Sequence, residues 1–194
     1  MEIWTLGWSE AASSRESIAR CLRLSDESIA NASVDVLDVT DGHNEETGAI
    51  HVHIASQDHQ QNAFAHVGLA DWIVLTFEDW SMIPVENVVA AAQGSPTQIA
   101  AVVRTSQSIA GAAYALETGV DAVVVPPTEA LLDAAEAMRA SRLERAMDEA
   151  HPESSLPQSV LEMSTVAEVT PLDSETVSVW TWRVCSLPGK GCWW

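Results

Sequence analysis

Short runs of β-branched and aromatic apolar residues recur along the chain, separated by alanine-rich stretches with apolar positions at helical spacing. The runs predict strands over residues 2–6, 34–39, 49–55, 71–77, 98–103 and 121–125. The stretches between them predict helices over 14–31, 58–69, 84–93, 106–118 and 128–149. In the fourth of these, Ile109, Ala112, Ala113 and Leu116 fall at i, i+3, i+4 and i+7, one stripe expected to be buried. "DWIVLTF" and "DAVVV" are almost unbroken apolar runs, the pattern of a parallel sheet covered on both faces.

Strand–helix alternation with short connections indicates right-handed βαβ units, hence an α/β domain of parallel strands over 1–150. Whether the sheet stays open or curls into a partial barrel is not readable from this pattern. "HPESSLPQS" supplies a polar, proline-containing linker over 151–158. The stretch "SVLEMSTVAEVTPL" then reads as the start of a β-rich second region over 159–176.

Composition narrows the chemistry. A formal charge of −19 argues against nucleic-acid binding, which needs a basic footprint. No lysine precedes Lys190, so the first domain can hold neither a Schiff-base lysine nor a Walker-A loop. No glycine-rich dinucleotide fingerprint follows any of the strands. No apolar run approaches the roughly 20 residues of a membrane span, and the start "MEIWTLGWSEA" lacks signal-peptide character. The expectation is a cytoplasmic protein with no membrane partner. Three scattered cysteines give no disulfide framework or zinc ribbon.

In α/β folds, functional groups collect at the carboxyl ends of strands. The fourth strand runs into Glu78 and Asp79, the fifth into Arg104 and Thr105, the sixth into Pro126. Adjacent strand ends would bring two carboxylates and Arg104, the single cation between Arg23 and Arg139, to one rim. An arginine there can hold a phosphate or carboxylate bidentately, and Asp79 can act as general base or metal ligand. The plainer alternative makes Arg104 a surface ion-pair partner and Asp79 a turn residue. In "IPVEN", Pro84 suits the first helical position and Glu86 the first turn, where a carboxylate complements the helix dipole. Asn87 is a poor mid-helix residue, which favours a contact role. His51 and His53 share one strand face at a spacing that can chelate a metal, with His59 as a third candidate ligand. Nothing in the spacing fixes that third ligand, so the pair reads more readily as solvated or partly buried side chains.

The segment 79–125, "DWSMIPVENVVAAAQGSPTQIAAVVRTSQSIAGAAYALETGVDAVVV", resembles the type II 3-dehydroquinate synthases. The matching positions are Asp79, Trp80, Ile83, Pro84, Glu86, Asn87, Gln93, Gly94, Thr105, Leu116, Glu117 and Gly119. Residues 1–70 match in layout only. The resemblance implies an enzyme of an alternative entry to the shikimate and aromatic amino acid pathway. It would oxidatively deaminate and cyclise a linear amino-ulosonic acid to 3-dehydroquinate with NAD as oxidant. A sister branch cyclises a phosphorylated amino-sugar acid to 3-amino-4-hydroxybenzoate. Both substrates are small anions, which suits Arg104. A non-catalytic domain that binds only a small anion is the reading from another class.

On this resemblance Asp79, Glu86 and Arg104 are the catalytic candidates, with a divalent metal open as an addition. Asn87 and Thr105 would hydrogen-bond substrate, and Glu117 would orient a neighbour. The family pattern carries Lys where Arg104 stands, and some members carry Lys where this chain has Pro126, which raises the sister branch.

The family's β-rich half would follow, and the end of this chain does not look like it. "WTWRVCSLPGKGCWW" holds four of the eight tryptophans and the only lysine. Lys190 to Trp194 can be encoded by AAG GGA TGC TGG TGG. Preceded by G and read one base out, that string gives Glu-Gly-Met-Leu-Val, a family-like sequence. The expectation is that residues 177–194 are out of frame and that the truncated chain is inactive. Resequencing the gene should reveal a family-like reading in another frame; a clean stop after Trp194 with no such frame removes the idea.

Overall fold

The computed structural model describes residues 1–79 and 82–150. Met1–Pro152 forms one compact unit. The expected linker at 151–158, the β-rich start at 159–176 and the tail at 177–194 fall outside the described residues.

In chain order the elements are β1 (Glu2–Leu6), α1 (Glu10–Ser13), β2 (Ile18–Arg23), β3 (Asp35–Asp38), β4 (His43–Asn44), β5 (Ala49–Ile54) and α2 (Gln57–Ala65). They continue with β6 (Trp72–Phe77), α3 (Met82–Ala92), β7 (Gln98–Val102), α4 (Ser106–Tyr114), β8 (Ala122–Val125) and α5 (Glu129–Ala150). The fold is α/β, and the six strands expected from the apolar runs are all present. The helix expected over 14–31 is not: its centre is β2, paired in parallel with β1. Only Ile18, Cys21 and Leu22 of β2 are buried, so its apolar positions do not alternate strictly, and the tertiary ladder overrides a helical reading. The short α1 makes the crossover from β1 to β2, and no helix lies between β2 and β3.

One mixed sheet contains all eight strands in the order β3-β2-β1-β8-β7-β6-β5-β4, parallel throughout except for β4 against β5. Its two edge strands, β3 and β4, are consecutive in the chain and joined only by residues 39–42. That connection spans at most about 17 Å, whereas the edges of a flat sheet of this width would lie roughly 34 Å apart. The sheet must therefore curl until its edges nearly meet, and Asn44 Nδ2 donates to the Asp38 carbonyl across the seam at 2.9 Å. The sheet is nearly a barrel.

The curl sorts the side chains into two apolar layers. Trp4, Leu6, Leu22, Leu37, Trp72, Val74, Ala100, Val102, Ala122 and Val124 form the inner cluster. Their neighbours Ile3, Cys21, Ile73, Leu75, Ile99, Ala101, Val123 and Val125 pack outward with Val85, Val88, Ile109, Ala112 and Leu132 of the helices. Outside β2, this alternation is the pleat at work. Trp4 and Trp72 sit on strands three places apart, yet their ring centroids are 4.5 Å from each other, which only a concave inner face permits. The Arg20 guanidinium lies over both rings, 5.3 and 5.5 Å from their centroids. This stack fills the amino-terminal end of the barrel.

The stripe expected on the fourth helix is buried at Ile109, Ala112 and Ala113 but not at Leu116, which is 42% exposed. Helix α4 ends at Tyr114, and Leu116 and Glu117 turn the chain with φ of 51° and 65°. Gly119 follows with φ 67°, and a Cβ there would overlap the Ala113 carbonyl. Gly94 has φ 79° with nothing within 4 Å of its missing Cβ. Gly119→Ala should therefore cost about 2 kcal/mol or more, and Gly94→Ala only about 1 kcal/mol. Denaturant midpoints of the two variants check this; equal losses would contradict the clash.

Candidate functional site

Because β5, β6, β7, β8, β1 and β2 run parallel, their carboxyl ends form one rim at the barrel mouth. β6, β7 and β8 are consecutive in the sheet, so Glu78 and Asp79, Arg104 and Pro126 emerge from neighbouring strand ends. Ser9 Oγ donates to the Pro127 carbonyl at 2.8 Å and ties the β1 and β8 ends together.

Arg104 is exposed, and among the described residues no carboxylate or carbonyl pairs with it. It occupies the next inward position after Ala100 and Val102, immediately before the amino terminus of α4. An anion at the mouth would meet both the guanidinium and the positive end of that helix. Asp79 and Asn87 line a cleft of about 420 Å³ beside the rim, together with Ser56, Gln57, Gln60 and Glu78.

Three expected residues are placed differently. Thr105 is the N-cap of α4: its hydroxyl accepts from Ser108 N at 3.1 Å and contacts Ser108 Oγ at 2.8 Å. Those bonds form a capping box and leave its oxygen engaged in the helix start rather than aimed at a substrate. Glu86 lies beyond the first turn, because α3 begins at Met82, and no acidic residue occupies that turn. It is about 100° around the helix from Asn87 and is not among the residues that line the cleft. Glu117 sits in the turn before β8, at the amino-terminal end of the strands. Parallel pairing puts that turn at the opposite end of the barrel from Arg104.

His51 and His53, left by the sequence as solvated or partly buried, occupy the inner face of β5 as it reaches the mouth. His51 Nε2 is 2.8 Å and His53 Nδ1 is 3.0 Å from the same atom, Thr76 Oγ1 on β6. The spacing correctly placed the two rings on one face. Thr76 gave no signal, because its partners lie on another strand. His51 is half-buried, and burial, with a smaller contribution from His53, holds its pKa below the ordinary 6.5. His59 is elsewhere: its Nδ1 accepts from Ala55 N at 3.2 Å in the turn into α2. Among the described residues, no group of three or more His, Cys, Asp or Glu is arranged to hold a metal ion.

The profile of the 3-dehydroquinate synthase II N-terminal domain matches residues 6–139. The chain belongs to this family. Curated relatives named 3-dehydroquinate synthase include one from Methanococcus maripaludis strain C6, 40% identical over 84 residues, covering 42% of this chain and 23% of the relative. Another, from Methanocella arvoryzae, is 35% identical over 79 residues, covering 41% and 21%. A third, from Haloarcula marismortui, is 34% identical over 79 residues, covering 41% and 20%. The matched segment thus spans about a fifth of each relative's own length. No solved structure matches the chain.

The NAD expected from the resemblance finds no cradle among the described residues. Among the described residues, no strand end carries a glycine-rich turn of the kind that holds a dinucleotide's phosphates. No step below is routed through a dinucleotide. Among the described residues, no helix is long and apolar enough to cross a membrane.

The depressed His51 pKa sets a stability slope. In the unfolded chain this imidazole takes up its proton as pH falls through about 6.5, while in the fold it resists, so native stability drops with it. Between about pH 7.5 and 5, wild type should lose more stability than His51→Gln, measured by urea midpoints. Equal losses would remove His51 from the balance.

Proposed function

We propose that this domain supplies the anion-binding mouth of a type II 3-dehydroquinate synthase, an enzyme that oxidatively deaminates and cyclises a linear amino-ulosonic acid to 3-dehydroquinate. The observation that carries this reading is Arg104, an unpaired guanidinium among the described residues, at the mouth of a domain whose family is shown. Arginine in an acidic chain can hold a carboxylate or phosphate through paired N–H donors. Asp79 and Asn87 in the adjoining cleft offer an acceptor and an amide to the substrate's hydroxyl and ammonium groups.

A second reading is favoured by one position. Pro126 follows β8 next to Arg104 and offers no amine where some family members carry lysine. A substrate with a phosphate, cyclised to 3-amino-4-hydroxybenzoate, draws on Arg104 in the same way and dispenses with that lysine. A domain that only binds a small anion is the remaining outcome.

Incubation of purified protein with the amino-ulosonic acid and added NAD separates the three. NADH with 3-dehydroquinate supports the first reading, and an aminohydroxybenzoate from the phosphorylated amino-sugar acid supports the second. Anion binding without turnover leaves the third. In a form that turns over, Arg104→Ala should raise KM about 10- to 100-fold, roughly 1.4–2.8 kcal/mol of lost binding. An unchanged KM removes Arg104 from the site.

A further inference from the structure

Thr76 bridges two imidazoles, and its chemistry restricts how. A hydroxyl has one proton to donate, so it cannot donate to His51 Nε2 and His53 Nδ1 together. At least one ring must present an N–H to Thr76 Oγ1, and the contacts at 2.8 and 3.0 Å make both bonds real at once. His51 is the inner, half-buried ring, and burial disfavours its protonated form; a neutral His51 accepts at Nε2 when its own proton sits on Nδ1. The hydroxyl then donates to His51 and accepts from His53 Nδ1–H. That leaves the outer nitrogen of His53, Nε2, carrying a lone pair, with no partner among the described residues. His53 is exposed at the mouth.

Strand register puts this nitrogen within reach of whatever Arg104 holds. His53 pairs with Thr76 across β5 and β6. The β6–β7 register, continued upward, sets Thr76 beside Val102 and Arg104 one pleat higher. At ordinary strand spacing and rise, the Arg104 Cα is about 8 Å from that of Thr76 and roughly 12 Å from that of His53. A small sugar acid fits between the two side chains.

We propose that His53 is the proton acceptor at the barrel mouth, and that Thr76 and His51 are positioning residues that fix its tautomer and orientation. The substrate class is a small carboxylate or phosphate anion that carries an acidic proton and is held by Arg104. In the step, a proton leaves the substrate for His53 Nε2 while its bonding pair stays on the substrate atom. The imidazolium so formed keeps its Nδ1–H on Thr76, and a later step returns the proton. Other titratable or charged groups on the segments around His53 are His51 on its own strand, Asp41 and His43 on the segment antiparallel to β5, Glu78 and Asp79 beyond β6, Arg104 beyond β7, and His59 on α2. The inference rests on the anion-binding reading of the mouth and not on which reaction follows.

Nitrogen-detected NMR of histidine-labelled protein, with inorganic phosphate as the probe, tests it without turnover. In the free protein, both rings should carry their proton on Nδ1, and His51 should titrate below the ordinary histidine range. Phosphate should raise the His53 midpoint by about half a pH unit, and Arg104→Ala should abolish that rise. Thr76→Val, nearly isosteric, should release the tautomer preference of both rings, while the signals of His66, the residue that ends α2, stay in place as a folding control. A His53 midpoint that ignores phosphate, or a tautomer pattern unchanged by Thr76→Val, overturns the proposal. Absence of turnover with the amino-ulosonic acid would remove the assigned reaction and leave these readouts as they stand.

Discussion

A connection of four residues governs this domain. Residues 39–42 join the two outermost strands of an eight-stranded sheet, and a chain that short cannot bridge a flat one. Closure follows, and closure creates an interior that must be filled to the density of any protein core. The inner positions of six strands supply Trp4, Leu6, Leu22, Leu37, Trp72, Val74 and the small alanines and valines of β7 and β8. β8 and β7 lie between β1 and β6 in the sheet, and their inward alanines leave room for the Trp4 and Trp72 rings to meet. Outside, the helices cover the second apolar face, and Arg15, in the segment between α1 and β2, binds Asp133 at 2.6 Å and Glu136 at 2.8 Å on α5.

Above the packed interior, the carboxyl ends of the strands are open to polar side chains. The inner positions turn from tryptophan and valine to histidine, threonine and arginine as β5, β6 and β7 reach their carboxyl ends. The helix that follows β7 begins immediately after Arg104 with its own cap in place, so the backbone that presents the guanidinium is fixed by Thr105 and Ser108. A residue expected to touch substrate therefore serves the site by shaping the chain beside it.

The strands were legible because unbroken apolar runs such as 72–75 and 122–125 have one physical explanation, burial on both faces. β2 was not legible. Its buried Ile18, Cys21 and Leu22 are spaced as readily for a helix as for a strand, and its partners are β1 and β3, which no local pattern reveals. The same limit applies to the site. Arg104 stood out because it is isolated in an acidic chain, and strand order was enough to place it. The pairing of both histidines with Thr76 depends on register between β5 and β6, which exists only in three dimensions. Glu117 shows the converse, since its place in a motif said nothing about which end of the barrel it would occupy.

The stack of Arg20 on Trp4 and Trp72 has a consequence for traffic. It packs the interior at the end remote from Arg104, so a small ligand held beside Arg104 would enter and leave on the mouth side.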